Sequence, residues 1–291
     1  MEILVAEETA SRLPYPELAD AIREVALARR SGTVQAPPRL ALPLAEVGIL
    51  LVMPASDAEI SITKLVTVHP QNAGCGLPTI QGEVVVMEAA TGLRLGLLEG
   101  AVVTARRTAA VSMLAARELA PRPDGPLLLV GAGTQGCSHL EAFREGLGVS
   151  KVFVYSRTTE SASALAEHAA GLGMEAGVAA RPEDALGEAT LLVTATTSRE
   201  PVLPEEVRED AFVAAVGSFE PEAAELPPAL ISRSTVVVDA TEGAREEAGD
   251  LLQAESAGAF RWESAVALED ALRWPERPGG PVVFESVGHA L

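Results

Sequence analysis

The chain has 291 residues, of which 48% are hydrophobic and 22% charged, an ordinary balance for a globular protein and a length that suggests two domains. Its formal net charge of -19 argues against nucleic acid or an anionic membrane surface as a partner, because both need a basic stripe. No apolar run approaches the roughly 18 residues of a membrane helix. The first ten residues contain three glutamates and no basic segment, so we expect no signal peptide and a cytoplasmic protein.

Cysteine and histidine, the usual zinc ligands, are rare in this chain. The two cysteines, Cys75 and Cys137, form neither a metal spacing nor a disulfide framework, and the four histidines are scattered along the sequence. We therefore predict no metal site. Lysine is nearly absent, since only Lys64 and Lys151 occur, and a lysine inside the apolar stretch around position 64 suggests a chemical role.

The first part of the chain predicts a mixed α+β domain. A short strand over 3–6 precedes a helix over 16–30, whose apolar period ends at Gly32. Strand-like runs then follow at 39–44, 47–53, 60–68, 79–88 and 93–98. An alanine-rich helix over 101–120 ends at Pro121, and the turn residues that follow give the clearest domain boundary. We therefore predict a first domain over 1–120 and a second over 121–286.

Beyond this boundary, strand patterns and helix patterns alternate. The segments are 127–130, 135–147, 151–155, 160–170, 191–195, 212–216 and 236–239, with a last strand at 282–284. This alternation predicts the α/β class, with a Rossmann-type doubly wound parallel sheet. The acidic runs 205–210 and 242–250 are interpreted as solvated helix faces.

A glycine-rich turn joins the first of these strands to its helix. The sequence PLLLVGAGTQG sets Gly131, Gly133 and Gly136 in the G-x-G-x-x-G spacing, with a strand before and a helix after. Gly131 permits the tight turn, Gly133 lets a pyrophosphate approach the backbone, and Gly136 lets helix and strand pack closely. The amides of Thr134 and Gln135 would face the anion. The motif predicts a dinucleotide cofactor.

The end of the second strand indicates which nicotinamide cofactor binds. A carboxylate roughly 20 positions past the first glycine would hold a ribose 2′-hydroxyl, but the strand ends in Ser156, Arg157 and Thr158. Because arginine can clamp a 2′-phosphate, we favour NADPH, with NADH possible. Small and hydroxylic residues stand at the ends of later strands and are further cofactor candidates: Thr196, Thr197, Gly217 and Ser286.

The first domain must then hold the substrate. Its candidate groups are Lys64, Thr79, Gln81 and Arg107, with Arg39 more distant, and the cations among them predict a pocket for an acid. Arg106 and Arg107 are adjacent on a helix, about 100° apart, so at most one of them need face inward.

Several segments together resemble the ornithine cyclodeaminase and mu-crystallin family. They are ITKLVTVHPQN, LPTIQGEVVVMEAATGLRLGLLEG, TARRTAAVSMLAARELA, VGAGTQGCSHLEAF and FESVGHAL, in the family's order over most of the chain. The resemblance implies a homodimer with a cofactor domain inserted after a substrate and dimerisation domain, and a short tail, 287–291, returning towards the latter.

The resemblance also implies roles for individual residues. Lys64 and Arg107 would be catalytic and meet the substrate carboxylate, joined by Arg39. Thr79 would approach the nicotinamide, and Arg107 would contact the cofactor as well as the substrate. Ser286 and Val287 would lie where cofactor and substrate meet.

One position departs from the cyclodeaminase pattern. Cyclodeaminases carry an acidic residue in a stretch resembling GADxPGKxEL, whereas residues 217–226 read GSFEPEAAEL and place Phe219 there. Phenylalanine cannot exchange protons, and deamination needs such a group. The stretch 223–250 further resembles cyclic ketimine reductases. We therefore expect NADPH-dependent reduction of Δ1-pyrroline-2-carboxylate or Δ1-piperideine-2-carboxylate to L-proline or L-pipecolate.

Three alternatives stay open at this point. An alanine-dehydrogenase-type oxidoreductase fits the same acid pocket. An ornithine cyclodeaminase is disfavoured by Phe219, and a non-enzymatic NADP(H)-dependent binding protein is disfavoured by the retention of Lys64, Arg107 and the glycine motif.

Overall fold

The computed structural model describes residues 1–45 and 47–288. It divides into two compact units, the first over residues 1–107 and the second over residues 108–288, with the division inside one continuous helix. The predicted domain limits, 1–120 and 121–286, stay a prediction, and residues 289–291 of the predicted tail lie outside the described residues.

The first unit is built on a mixed six-stranded sheet. Its strands are β1 (Glu2–Leu4), β2 (Leu40–Leu44), β3 (Gly48–Ser56), β4 (Ile60–Val68), β5 (Ile80–Glu88) and β6 (Arg94–Glu99). The spatial order is β1-β6-β5-β4-β3-β2, and all neighbours are antiparallel except the parallel pair β1 and β6. Its helices are α1 (Ala6–Ser11), α2 (Tyr15–Arg30) and the first part of α3 (Gly100–Leu119).

Local sequence explains most of this sheet. The β3–β4 hairpin turns at Asp57, whose carboxylate accepts the amides of Glu59 at 2.8 Å and Ile60 at 2.7 Å. These bonds lower the pKa of Asp57. The predicted strand over 3–6 is wrong at its end, because Ala6 already begins α1 and only Glu2–Leu4 pair with β6.

The second unit is a parallel doubly wound sheet, as predicted. Its strands are β7 (Leu127–Val130), β8 (Lys151–Tyr155), β9 (Glu175–Val178), β10 (Leu191–Thr194), β11 (Phe212–Ala215), β12 (Thr235–Val238), β13 (Val266–Ala267) and β14 (Val282–Glu285). Its helices after α3 are α4 (Thr134–Leu147), α5 (Thr159–Gly171), α6 (Pro228–Ser232), α7 (Thr241–Glu247), α8 (Gly249–Ser256) and α9 (Leu268–Ala271). The order β13-β12-β14-β11-β10-β7-β8-β9 is parallel throughout.

Burial explains why the central strands are easy to recognise in the sequence. Every residue of β7, β10, β11 and β14 is buried, which is typical of strands covered on both faces. The strands β9 and β13 were not predicted, because both are short and only partly buried. The run 205–210 is not a helix, and its Arg208 pairs with Asp210 instead.

The chain order changes direction between β7 and β10. From β7 the sheet grows through β8 to β9 on one side, and from β10 through β11 on the other. Ligands of such sheets bind outside the carboxyl ends of the strands at this switch point. No helix in the described part of the chain is both long and apolar enough to cross a membrane.

Candidate active site

The glycine turn lies at the switch point and has the geometry that its spacing predicts. Gly131 has φ +113°, and a Cβ there would lie 2.4 Å from the carbonyl oxygen of Ala195, which follows β10. A Cβ at Gly136 would lie 2.1 Å from the carbonyl oxygen of Gly131. At Gly133, by contrast, a Cβ would meet nothing within 4 Å. Packing therefore requires the outer two glycines, while the backbone at Gly133 is open to a group of pyrophosphate size.

The first turn of α4 suits an anion. Gly133 is the residue before the helix and gives it no side-chain cap, so the amides of the first turn keep their hydrogens for a ligand. Thr134 is exposed and Gln135 half-buried. A helix start of this kind binds phosphate groups through its amides and dipole, which fits a dinucleotide.

The end of β8 presents a cation to solvent. Ser156 is half-buried, Arg157 is exposed, and Thr158 precedes α5 with its hydroxyl 2.8 Å from Ser161 Oγ. Within residues 1–45 and 47–288, the Arg157 guanidinium makes no hydrogen bond or ion pair. It is therefore available to a phosphate dianion.

The loops after β10 and β11 are held by a carboxylate that sequence analysis missed. Glu225 is fully buried, and its Oε1 accepts the amide of Thr196 at 2.6 Å and the hydroxyl of Thr196 at 2.7 Å. Its Oε2 accepts the Gly217 amide at 2.8 Å and the Thr194 hydroxyl at 2.9 Å. Burial raises the pKa of Glu225, and these four bonds oppose that rise. Glu225 thus ties together two of the loops that were predicted to touch the cofactor.

This tether is itself held by Asp250. Oδ1 of Asp250 accepts the amides of Glu225 at 2.7 Å and Leu226 at 2.8 Å, and the Asp250 amide donates to Ser218 Oγ. Burial raises the pKa of Asp250 to about 7. The interpretation of 242–250 as a solvated face is therefore wrong at its last residue. The reason is Gly249, where a Cβ would lie 2.1 Å from the Ala223 carbonyl oxygen, so α8 begins in close contact with the 218–225 loop.

The ends of the neighbouring strands β12 and β14 contain a second pair of buried acids, Asp239 and Glu285. Asp239 Oδ2 accepts the Ser286 hydroxyl at 2.7 Å and the Gly288 amide at 3.0 Å. Neither carboxyl oxygen of Glu285 has a hydrogen-bond partner in the described part of the chain. Burial raises the pKa of Glu285 well above its ordinary value, and nearby Asp250, Glu225 and Asp239 raise it further. Burial and these neighbouring acids therefore favour the neutral form of Glu285.

Three predicted site residues of the second unit have internal contacts. The Thr196 and Ser286 hydroxyls bond to Glu225 and Asp239, and Val287 is buried in the core. Thr197 is exposed, and a Cβ at Gly217 would lie 2.2 Å from the Thr196 carbonyl oxygen. Phe219, at the position of the family's acid, is 41% exposed.

In the first unit, three cationic side chains lie close together. Lys64 is in the middle of β4 and 8% exposed, on the same sheet face as its cross-strand partners Met53 and Val84, which are also buried. Burial, followed by the positive charges of Arg107 and Arg39, lowers the pKa of Lys64 to about 7. A group of neighbouring positive charges favours a carboxylate as ligand. Because its pKa is about 7, Lys64 can also exchange a proton near neutral pH.

The adjacent arginines of α3 have different surroundings. The Arg106 guanidinium lies 3.8 Å from the centroid of the Tyr15 ring, and its Nε donates to the Leu13 carbonyl at 2.7 Å. Arg107 is 8% exposed and belongs to the Lys64 cluster. Of the two, Arg107 is thus the one available for substrate chemistry.

Two other candidates of this unit are not brought to Lys64. Gln81 pairs with Thr67, which is three residues from Lys64 along β4. Because side chains alternate between the two faces of a sheet, this odd offset places Gln81 on the face opposite Lys64. Thr79 lies just before β5, where its carbonyl accepts the His69 amide at 2.8 Å.

Together, a parallel sheet with a glycine-rich turn at its switch point and a separate sheet that carries Lys64 and Arg107 are features of a nicotinamide-dependent oxidoreductase. The chain matches the Ornithine cyclodeaminase/mu-crystallin family over residues 1–269 and belongs to it.

Relatives with known names narrow this class. The chain is 38% identical over 286 residues to Delta(1)-pyrroline-2-carboxylate reductase 1 of Burkholderia multivorans, which covers 98% of this chain and 90% of that relative. The structure of Thermococcus litoralis Delta(1)-pyrroline-2-carboxylate reductase in complex with NADH and L-proline has a TM-score of 0.92 at 28% identity, covering 100% and 93%. An archaeal alanine dehydrogenase dimer with bound NAD has a TM-score of 0.91 at 29% identity, covering 100% and 91%.

These matches confirm the predicted family, the α/β fold with its second mixed domain, and a nicotinamide-dependent reductase as the class of enzyme. The individual roles of the site residues, the choice of NADPH, the homodimer and the cytoplasmic location stay predictions.

Proposed function

We propose that this protein reduces a cyclic ketimine carboxylate, Δ1-pyrroline-2-carboxylate or Δ1-piperideine-2-carboxylate, to L-proline or L-pipecolate. The observation that carries the proposal is the cluster of buried Lys64 and Arg107 with half-buried Arg39. It suits a small acid, and the similarity to pyrroline-2-carboxylate reductases points to an imine next to that acid group.

The substrate carboxylate would be bound by Arg107 and Lys64, with Arg39 adding charge at the edge. Such anchoring holds the imine carbon in one orientation, and proximity of this kind carries much of an enzyme's rate. The bound nicotinamide would supply the hydride to that carbon. Reduction also needs a proton on the imine nitrogen, and Lys64, whose pKa is about 7, or a water that it holds, is the donor.

NADPH is the proposed cofactor, with NADH as the alternative. Arg157 is exposed at the end of β8, where no carboxylate stands to hold a 2′-hydroxyl. Relatives of similar fold bind NADH or NAD, so the two cofactors need a direct comparison. Arg157→Ala should lower kcat/KM for NADPH by about tenfold and leave that for NADH nearly unchanged, because only NADPH has the 2′-phosphate.

Phe219 favours reduction over deamination. A cyclodeaminase must move protons on an amine and expel ammonia, and phenylalanine offers no exchangeable proton for this. The second candidate is an alanine-dehydrogenase-type reaction with pyruvate and ammonia, favoured by the similarity to the archaeal alanine dehydrogenase. It would use the same cationic cluster.

A panel of substrates tests these functions. We expect oxidation of NADPH with five- and six-membered cyclic ketimine carboxylates and little with pyruvate plus ammonia or ornithine plus NAD. Faster turnover of pyruvate would establish the alanine dehydrogenase. Tight NADPH binding without turnover of any of these compounds would identify a binding protein instead.

We also propose that the first unit forms a homodimer through the sheet face opposite Lys64. That face contains Leu50, Leu65 and Leu97 and a cavity of about 700 Å³. Leu50, Leu65 and Leu97 are only partly buried within one chain, and a second copy of the chain would cover them. Light scattering of the full chain should give twice the mass of one chain, and a monomer at micromolar concentration would refute the dimer.

A further inference from the structure

A cysteine, a glutamate and a histidine of the second unit converge on the surface of the parallel sheet's helices. Cys137 and Glu141 are four residues apart on α4, on the same face of the helix, and His168 is in the last turn of α5. The Cys137 sulfur lies 3.8 Å from Glu141 Oε1, and His168 Nε2 lies 3.1 Å from the same oxygen. All three ligand atoms lie within 4.8 Å of one another.

We propose that this cluster binds a divalent transition metal, with Zn²⁺ as the best match. Thiolate, imidazole and carboxylate are the three ligand types that zinc takes in proteins. Zinc bonds of about 2.3 Å to sulfur and about 2.1 Å to nitrogen or oxygen, at tetrahedral angles, place sulfur and oxygen about 3.6 Å apart and nitrogen and oxygen about 3.4 Å apart. The observed separations are within a few tenths of an ångström of both.

Cysteine and histidine are so rare in this chain that their meeting at one carboxylate is unexpected by chance. The chain has only two cysteines and four histidines, yet one of each contacts the same carboxylate. A thiolate, a carboxylate and a neutral imidazole would also balance the charge of Zn²⁺. The strongly negative protein, with a net charge of -19, attracts cations to its surface.

The exposure of the three groups leaves an entry path and an open coordination position. Cys137 is half-buried, while the His168 and Glu141 side chains are 41% and 33% exposed. A fourth ligand would therefore be water. The site lies in the surface of the cofactor-binding unit, and Lys64 and Arg107 take no part in it.

Metal binding would cross-link the two helices that follow the cofactor-binding turns. Cys137 directly follows Gly136 in the first turn of α4, and α5 begins directly after Thr158. The metal would bind only when both helices are folded and adjacent. It therefore stabilises the folded state, and the melting temperature rises with the metal concentration relative to its dissociation constant.

The experiment uses the full chain, freed of metal with a chelator, and titrates it with Zn²⁺ by calorimetry and with Co²⁺ by absorption. We expect one metal per chain, a thiolate-to-cobalt band in the near ultraviolet, and a melting temperature that rises with Zn²⁺. Cys137→Ser should abolish the band, and both Cys137→Ser and His168→Gln should weaken Zn²⁺ binding by at least about tenfold.

The control is Cys75→Ser, which removes the other cysteine, an exposed one on a different unit, and should keep the band and the affinity. Because His168 is exposed, His168→Gln tests the site even if Cys137→Ser unfolds. The proposal is overturned if the wild-type chain binds no Zn²⁺ at micromolar concentration. It is equally overturned if the Cys137 and His168 variants bind as tightly as the wild type.

Discussion

In the first unit, Lys64 lies buried beside two other cations, whereas in the second unit the carboxylate of Glu225 lies buried among four hydrogen-bond donors. Both groups are more than nine-tenths buried by exposed area, yet their surroundings differ in kind. Hydrogen bonds from its own chain compensate the buried negative charge of Glu225, and through these bonds Glu225 holds two loops in place. The Lys64 cluster carries positive charge that a substrate anion can meet. The hydrogen bonds that a buried charge accepts from its own chain therefore help to separate a structural role from a binding role.

The largest expected effect is on Lys64. Lys64→Met should lower kcat/KM for the ketimine by about 10²- to 10⁴-fold, because both a carboxylate contact and a proton donor are lost. NADPH oxidation by the purified variant measures this. The matched control is Lys151→Met, which removes the only other lysine, an ion-pair partner of Glu175 and Glu188, and should leave turnover unchanged. Turnover retained by Lys64→Met would mean that the cluster does not perform the chemistry.

A pH profile tests the same residue without removing it. The pKa of Lys64 is lowered to about 7, so its protonated form disappears as the pH rises through that value. We expect kcat/KM, which reports the free enzyme, to fall about tenfold per pH unit above 7. Lys64→Arg keeps its charge at all pH values but cannot donate its proton, so its kcat/KM should be low and should not show this fall above pH 7. A wild-type profile that is flat from pH 6 to pH 9 would contradict the assignment.

Variants of the adjacent residues Arg106 and Arg107 of α3 can distinguish a role in substrate binding from a role in packing. Arg107→Ala should raise KM and lower kcat/KM by about 10- to 150-fold, the worth of charged hydrogen bonds to a carboxylate. Arg106→Ala should instead lower the free energy of unfolding by about 1 kcal/mol, through loss of the contact with Tyr15, and leave kcat/KM unchanged. Equal kinetic losses in both variants would remove the distinction between them.

Glu225 should behave as a positioning residue. In Glu225→Gln the amide nitrogen faces donors, so the free energy of unfolding should fall by about 2 kcal/mol in urea titrations. The displaced loops after β10 and β11 should raise KM for NADPH more than they change kcat. Glu222→Gln, on the exposed part of the same segment, is the control. A variant of wild-type stability and KM would show that the tether is dispensable.

The smallest expected effect is a gain of stability. The pKa of Glu285 is raised in the folded protein, so the unfolded chain ionises first as pH rises above the ordinary value of about 4.3. Stability is therefore lost with rising pH, and Glu285→Gln should remove that loss. We expect the variant to gain on the order of 1 kcal/mol relative to wild type between pH 5 and pH 7.5. A constant difference over this range would contradict the raised pKa of Glu285.

Features that rest on neighbouring residues in the chain could be predicted. The buried strand β7, the three glycines and the start of α4 form one continuous segment, so spacing alone gave their roles. Lys64 could also be singled out, because lysine is so rare in this chain, and its role in binding an acid stays a prediction. The acidic helix run ending at Asp250 was misinterpreted, since its burial depends on a loop more than 20 residues away.

By itself, the sequence determined the family, the two kinds of sheet and the cationic residues of the candidate site, because periodicity, glycine spacing and residue rarity are local properties. Tertiary structure alone decided that Arg106 packs on the Tyr15 ring, and that Glu225 holds the loops at the switch point. It also brought His168 to Cys137, 31 positions away, where scattered histidines had predicted no metal site. These choices depend on which elements pack together, and hydrogen bonds and ligand distances between elements leave no periodic trace in the chain.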